Sequence, residues 1–168
     1  KKYEDDEKTI YAMRVVLDHV RSATFLIGDG VMPGNKDQMY FVRRLIRRAV
    51  RYARDLGVHE NFTKTVAEAF IATYKEEYKN LEEKKESILS EIDNEETKFR
   101  KTLENGLKII DKKIKTIAAY LAEDKSATDE VMQLTSSGKD AFDLLQSDGF
   151  PIELTEEVAR ERGITVNK

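Results

Sequence analysis

Residues 37–56 read DQMYFVRRLIRRAVRYARDL, and they give the clearest indication of fold class. On a helical wheel with about 100° per residue, the apolar side chains and the arginines fall into two opposite arcs of roughly 140° each. The apolar set is Val42, Leu45, Ile46, Ala49, Val50, Ala53 and Leu56. The arginines are Arg43, Arg44, Arg47, Arg48, Arg51 and Arg54. The pattern predicts an amphipathic helix that packs one side on a core and presents guanidinium groups on the other.

Helical spacing continues on both sides of this stretch. Apolar residues recur through residues 5–27, and Gly28-Asp29-Gly30 is expected to end that helix. Another helix is predicted over residues 63–78. Residues 80–123 then predict one helix of about 40 residues, roughly 60 Å long. Because its apolar stripe is narrow, we expect an arm that lies antiparallel against a neighbour.

The C-terminal part of the sequence predicts a small helical lobe. Residues 126–138 are polar and are expected to form a linker, followed by a short helix near 139–145. After a turn at 148–151, a last helix is expected to begin beyond Thr155, which would cap it, and to end at Gly163.

These elements together predict an all-α fold. We expect a helical bundle with the long antiparallel arm over residues 1–125, and the linker with its small C-terminal helical lobe over residues 126–168.

Composition limits the classes of function. The 168 residues include no cysteine, which excludes disulfides and thiolate metal sites and fits a reducing, cytoplasmic compartment. No apolar run approaches the ~18 residues that span a membrane. The formal net charge is −3, so the arginine-rich stretch indicates a localised anionic partner rather than general polyanion binding. The chain begins without methionine, and we expect it to be part of a longer protein.

Two interpretations of the arginine side of the helix are open. The planar guanidinium fork binds phosphate oxygens in pairs, which favours an RNA or another phosphate-bearing partner. Six like charges on one side also repel, and carboxylates from the acidic stretch 76–104 could pair with them instead. From the pattern alone, a solvated or internally paired charge run is the commoner outcome.

The loop before this helix is a second candidate site. Pro33-Gly34-Asn35 places a short amide beside the arginines, and an amide both donates and accepts hydrogen bonds, which suits base edges or a 2′-hydroxyl. Asn35 could instead cap the helix, with Gln38 completing a variant of the capping box. Spacing alone favours the cap.

The sequence gives no positive support for catalysis. His19 and His59 are not at metal-ligand spacing, no glycine-rich phosphate loop follows a strand, and no nucleophile stands with a base. His19 is predicted to be a hydrogen-bonded structural histidine. We therefore expect no catalytic residue, no metal site and no cofactor in this chain.

Several blocks of the sequence resemble alanyl-tRNA synthetase just after its catalytic domain. They span most of the chain, and the arginine-rich block is the most distinctive of them. The blocks are RVVLDHVR at 14–21, FLIGDGVMPGN at 25–35, RRLIRRAVR at 43–51, EETKF at 95–99, TLENGL at 102–107, GFP at 149–151 and LTEEVA at 154–159.

The resemblance implies a helical tRNA-recognition domain between two other domains of one parent chain. The domain before it would activate alanine with ATP and Mg²⁺, and an editing domain would follow. The partner would be the acceptor stem of tRNA(Ala), with its phosphates beside the arginines. In the family, a loop asparagine and an aspartate of the later lobe reach a G·U wobble pair, and Asn35 matches the asparagine position.

Two positions depart from the family pattern. Where the family has Asp-Thr-Tyr-Gly-Phe-Pro, this chain has Gln146-Ser147-Asp148-Gly149-Phe150-Pro151. A carboxylate only accepts hydrogen bonds, whereas Gln146 donates and accepts, and Asp148 could replace the aspartate through a shifted turn. The family's Arg-Gly before the tyrosine is replaced by Gln38-Met39. Gln146 and Asp148 are therefore both candidate base contacts, and the preferred base pair is left open.

A competing hypothesis is a structural module. The long helix and the bundle would then bridge domains or mediate self-association as a coiled coil, and the arginines would pair internally.

Overall fold

The structure, a computed structural model, describes residues 2–4, 6–123 and 151–161. These residues form helices and turns without any β-strand, which confirms the predicted all-α class. The helices are α1 (Glu7–Gly28), α2 (Asp37–Asp55), α3 (Thr63–Tyr74), α4 (Lys79–Glu83), α5 (Lys85–Glu123) and α6 (Ile152–Glu161). None of the helices in this described part is long and apolar enough to cross a membrane.

The chain divides into two compact units, Lys1–Arg100 and Lys101–Lys168. Helix α5 begins in the first unit and ends in the second. The predicted linker at 126–138, the short helix near 139–145 and the predicted domain boundary at 125 and 126 lie outside the described residues.

The core of the first unit is built on α1, against which α2 and α3 pack. The predicted apolar side of α2 is confirmed: Val42, Ile46 and Val50 are fully buried. On α1, Val16, Val20 and Ile27 are buried at helical spacing. Asp6 is the N-cap residue of α1, and its carboxylate accepts a hydrogen bond from the backbone N–H of Thr9 at 2.8 Å.

The end of α1 is contacted by α4, whose residues were predicted to belong to the start of the long helix. A Cβ on Gly28 would lie 2.7 Å from Leu81 Cδ2, so any larger residue there would displace the fully buried Leu81 side chain. Lys84 Nζ donates a hydrogen bond of 2.6 Å to the Gly28 carbonyl, one of the carbonyls that a helix end leaves without a partner. The predicted arm therefore begins at Lys85, after this separate turn of helix.

The first part of α5 is a core element of the first unit. Ile88, Ile92 and Phe99 are fully buried. The polar residues Glu95 and Glu96 are buried on the same stretch, with exposed fractions of 4% and 0%. The predicted long helix is thus confirmed, but from Lys85 to Arg100 it is packed within the bundle.

Helix α3 is capped by a side chain of α5. Phe62, at the N-cap position of α3, offers no side-chain hydrogen bond. Glu96 replaces it: its Oε2 accepts the backbone N–H of Phe62 at 3.1 Å and that of Thr63 at 2.8 Å. The Thr63 hydroxyl also donates to this oxygen, at 2.5 Å. A buried carboxylate at a helix N-terminus is favourable because it faces unpaired N–H groups and the positive end of the helix dipole.

In the second unit, α6 begins earlier than predicted. Thr155 lies inside the helix, so its predicted capping role is wrong. The helix starts directly after Pro151, since the fixed φ of proline is compatible with a helix start. The Pro151 carbonyl accepts a hydrogen bond from the Leu154 N–H at 3.0 Å. Leu154 and Val158, four residues apart, are both buried. The predicted end at Gly163 lies outside the described residues.

Candidate functional site

The loop that carries Asn35 is folded tightly onto the start of α2. The Gly34 N–H donates to the Met39 carbonyl at 2.9 Å. A Cβ on Gly34 would lie 2.6 Å from Met39 Cε and 2.7 Å from Met39 Cβ, so glycine is needed for this approach. Asp37, the first residue of α2, has a φ of 47°, a left-handed conformation that aspartate tolerates better than most residues. The loop thus leaves Asn35 and Lys36 exposed at the head of α2.

Asn35 does not cap α2, so the capping role favoured by spacing is wrong. The N-cap residue is Lys36, and it makes no side-chain capping bond, so Gln38 is not part of a capping box either. The side-chain oxygen of Asn35 instead accepts a hydrogen bond from Arg43 Nη1. Spacing could not distinguish these outcomes, because either one places the amide next to the first turn of the helix.

Arg43 connects Asn35 to the interior of the first unit. Its Nε lies 3.3 Å from Glu95 Oε1, and the Glu95 side chain is only 4% exposed. The same carboxylate oxygen accepts a hydrogen bond of 2.6 Å from Arg47 Nε. One buried carboxylate of α5 therefore forms ion pairs with two arginines of α2, but only Arg47 donates a hydrogen bond to it.

The expectation that all six arginines form an exposed side is wrong for two of them. Arg47 and Arg51 are 7% and 3% exposed. Arg47 lies between Glu95 and the Phe99 ring, whose centroid is 5.1 Å from its guanidinium carbon. Arg51 pairs with Asp55 at 3.2 Å and lies 4.5 Å from the centroid of the Tyr52 ring. Helix α2 is contacted on its arginine side by α5 as well as on its apolar side by α1, which a wheel of α2 alone cannot reveal.

The other arginines reach the surface. Arg43, Arg44, Arg48 and Arg54 are partly exposed. Arg44 lies over the exposed Phe41 ring, 5.7 Å from its centroid. Phe41 and Arg44 present a ring and a cation together, the combination that suits stacking on bases and contact with phosphates.

Arg48 is held against α1. Its Nη2 donates to the Tyr11 hydroxyl at 3.2 Å, and its Nη1 lies 3.2 Å from His19 Nε2. A guanidinium only donates, so His19 Nε2 must accept and the ring proton sits on Nδ1, which lies 3.4 Å from Asp18 Oδ2. The hydrogen bonding predicted for His19 is confirmed by this contact with Arg48, and its structural role stays a prediction.

The structure therefore brings Asn35, Lys36 and the partly exposed Arg43, Arg44 and Arg48 to one end and one side of α2. Gln146 and Asp148, the candidate base contacts of the later lobe, lie outside the described residues, and their role stays a prediction.

A concave surface that is open to solvent lies on α1, the end of α3 and the segment after it, away from Asn35 and the arginines of α2. It encloses about 320 Å³ and is lined by Arg21, Ser22, Phe25, Tyr74 and Tyr78. Its three rings meet edge to face, with centroids 5.0 Å apart for Phe25 and Tyr78. These contacts fasten the C-terminal end of α3 to α1.

A family model described as tRNA synthetases class II (A) matches residues 1–168. The chain belongs to the class II (A) tRNA synthetase family. This agrees with the blocks of sequence that resemble alanyl-tRNA synthetase, and it covers both compact units.

Relatives of this tRNA synthetase chain carry a more specific name. Alanine–tRNA ligase 1 of Lachnoclostridium phytofermentans is 39% identical over 166 residues, which cover 99% of this chain and 18% of the relative. Alanine–tRNA ligases of Trichodesmium erythraeum and Crocosphaera subtropica are 41% identical over 164 residues and 42% identical over 161 residues. These matches cover 98% and 96% of this chain. The chain spans less than a fifth of the length of these relatives, 17% or 18%.

Sequence reasoning missed two residues of this synthetase chain that organise the site. Glu95 and Glu96 lie in the EETKF block, and they were not distinguished from the exposed acids of the same stretch. The available signal was position: both residues fall next to the apolar stripe of α5, where a carboxylate is buried only with a partner.

Proposed function

We propose that this chain is the tRNA-recognition part of an alanine–tRNA ligase and lies after the catalytic domain of its parent protein. It binds the acceptor stem of tRNA(Ala) and carries no catalytic centre of its own. Alanine activation with ATP and Mg²⁺, and editing, belong to other domains of the parent chain. The observation that carries the proposal is the position of Asn35: its side chain is exposed, does not cap α2, and is joined to the arginine-bearing side of that helix.

The exposed cations contact the RNA backbone, and polar side chains contact the bases. Lys36, Arg44 and Arg48 lie at the surface and contact backbone phosphates, with Arg43 and Arg54 at the margins. Asn35 reads a base pair near the end of the stem, and Gln146 or Asp148 supplies the second base contact. Arg47 and Arg51 support the helix from inside rather than touching RNA, because their side chains are buried, Arg47 against Glu95 and Arg51 beside the Tyr52 ring.

Binding of an alanine-acceptor minihelix, followed by fluorescence anisotropy over a range of NaCl concentrations, tests the proposal. The wild-type chain is expected to bind with an affinity that falls as salt rises, because each neutralised phosphate releases counterions. The double variant Arg44→Gln/Arg48→Gln is expected to bind about tenfold more weakly. Its logarithmic salt slope should be shallower by about 1.5, since roughly 0.7–0.9 is lost per phosphate contact.

The matched control is Lys64→Gln/Lys75→Gln, which removes the same charge from exposed positions on α3 and at its C-cap. Circular dichroism shows whether each variant is folded. The proposal is overturned if the wild type does not bind the minihelix, or if the α3 variant loses as much affinity and salt dependence as the α2 variant.

The structural module is the second candidate, and the pairing of Arg43 and Arg47 with Glu95 favours it in part. In that case the arginines serve the fold, and the chain associates with itself or bridges domains. Sedimentation velocity over a hundredfold range of concentration separates the two functions: concentration-dependent association together with no RNA binding supports the module.

A further inference from the structure

The orientation of the Asn35 amide is fixed by chemistry. Asparagine oxygen and nitrogen are hard to distinguish by shape, and the assignment depends on what each atom faces. Here the partner is Arg43 Nη1, which can only donate, so the amide oxygen must face it. The two N–H bonds of the amide nitrogen therefore point away from Arg43. Within residues 2–4, 6–123 and 151–161, no acceptor bonds to them.

Arg43, which fixes this orientation, is itself paired with a buried carboxylate of α5. Its Nε lies 3.3 Å from the buried Glu95 carboxylate, an ion pair without a hydrogen bond, while its Nη1 donates to Asn35. Two different nitrogens of one rigid planar group thus connect a core carboxylate to a loop amide. Glu95 is kept in place by a second arginine, Arg47, at 2.6 Å. The rotation of the Asn35 amide is in this way controlled from α5.

We propose that Arg43, fixed by Glu95, is a positioning residue that makes Asn35 a hydrogen-bond donor towards the RNA. The group it reads is then an acceptor atom, a base N3 or O2 or a 2′-hydroxyl oxygen in the minor groove of the stem. A guanine amino group at the same point would oppose donor to donor. This inference rests on the proposed function, since it specifies the polarity of the contact made at that site.

The first test replaces Asn35 with aspartate. Asn35→Asp keeps an oxygen for Arg43 but turns the outward N–H₂ into a carboxylate oxygen, which only accepts. The measurement is the discrimination ratio, which is the dissociation constant of a minihelix that lacks one acceptor divided by that of the preferred alanine-acceptor minihelix. Minihelices that lack one acceptor carry a changed base pair, a 3-deazapurine or a 2′-deoxyribose at a single position. The ratio is expected to fall about tenfold towards one.

The control for charge is Lys36→Gln at the adjacent exposed position. It changes the charge by the same −1 as Asn35→Asp. It is expected to weaken binding to every minihelix equally and to leave the ratio unchanged.

The second test addresses Arg43. Arg43→Gln is expected to lower the discrimination ratio, whereas Arg54→Gln, the same change about three turns along α2, is expected to leave it intact. Arg43→Lys keeps one donor and is expected to restore part of the ratio. In the free protein, Arg43→Gln should also shift the ¹H–¹⁵N signals of the Asn35 side-chain amide, because it removes the donor to the amide oxygen, whereas Arg54→Gln should leave them in place.

The outcomes separate this inference from the proposed function. If the wild type binds no minihelix, the proposed function fails and the inference fails with it. If the wild type binds and discriminates, and Asn35→Asp discriminates equally well, the donor polarity is wrong. If Arg43→Gln and Arg54→Gln behave alike in both the ratio and the amide signals, Arg43 is not the positioning residue.

Discussion

Glu95 is the residue on which the arginine side of α2 depends. Burial lowers the pKa of the Arg47 guanidinium, and the charge and hydrogen bond of Glu95 act in the opposite direction. The pair is therefore a charge removed from water and compensated by one carboxylate, an arrangement that is costly to break from one side.

We expect Glu95→Ala to lower the free energy of unfolding by roughly 3–5 kcal/mol, because it leaves the buried Arg47 without its carboxylate. Glu95→Gln should cost less, since its amide oxygen can still accept from Arg47 Nε. Urea denaturation followed by circular dichroism measures both. Glu86→Ala, at an exposed position of the same helix, is the control and should change stability by less than about 0.5 kcal/mol. Equal effects of Glu95→Ala and Glu86→Ala would contradict the role given to Glu95.

At the scale of the element, α3 shows that a helix can take its cap from a distant part of the chain. Glu96 is 33 residues beyond Thr63 and occupies the place of a local N-cap side chain. The other oxygen of Glu96 accepts from Arg100, whose Nε is 2.9 Å away. Arg100 also donates to the His59 carbonyl at 3.0 Å, which holds the turn before α3.

Glu96→Gln is expected to loosen the start of α3 without unfolding α1 or α2. The amide side chain keeps one acceptor for the two N–H groups but loses the charge, and each charge-assisted bond contributes about 1.5–3 kcal/mol. Hydrogen exchange of the backbone amides at 62–66 should accelerate in this variant and stay unchanged in Glu86→Gln. Uniform acceleration across the whole first unit would show that Glu96 stabilises the core rather than the cap.

The two sides of helix α2 differ in how well the sequence predicts their burial. Its apolar side was predictable because hydrophobic periodicity has a single physical cause, burial. Its arginine side could not be predicted in the same way: Arg47 is buried against Glu95 and Phe99 of α5, Arg51 is buried beside Tyr52 of its own helix, and the other four arginines are partly exposed. An element that packs on two sides therefore cannot be assigned from its own amphipathicity.

On the scale of the whole molecule, the chain consists of two compact units with separate buried side chains. Ile46 and Phe99 are buried in the first unit, and Leu154 and Val158 in the second. A unit with its own core can open without the other, since stability is not uniform across a structure.

We expect core truncations to act on the unit that contains them. Ile46→Ala removes a fully buried side chain and should destabilise the first unit by about 2–5 kcal/mol. Leu154→Ala should do the same in the second unit. Hydrogen exchange followed by mass spectrometry locates each effect: peptides within 7–100 should respond to the first change, and peptides within 151–161 to the second. If both changes open both regions equally, the two units unfold as one.

The sequence alone determined the all-α class, the extents of α1 and α2 to within a few residues, and the candidate site around Asn35. These follow from local causes, which are hydrophobic periodicity, helix-ending glycines and recognisable blocks of residues. It did not determine which arginines are exposed, what Asn35 bonds, or what caps α3. The burial of Arg47, the pairing of Arg43 and the cap of α3 depend on Glu95 and Glu96, which approach from α5 only after the chain has folded. The partners of a buried carboxylate are set by tertiary packing. The local sequence pattern does not predict a contact between residues that are 33 to 48 positions apart.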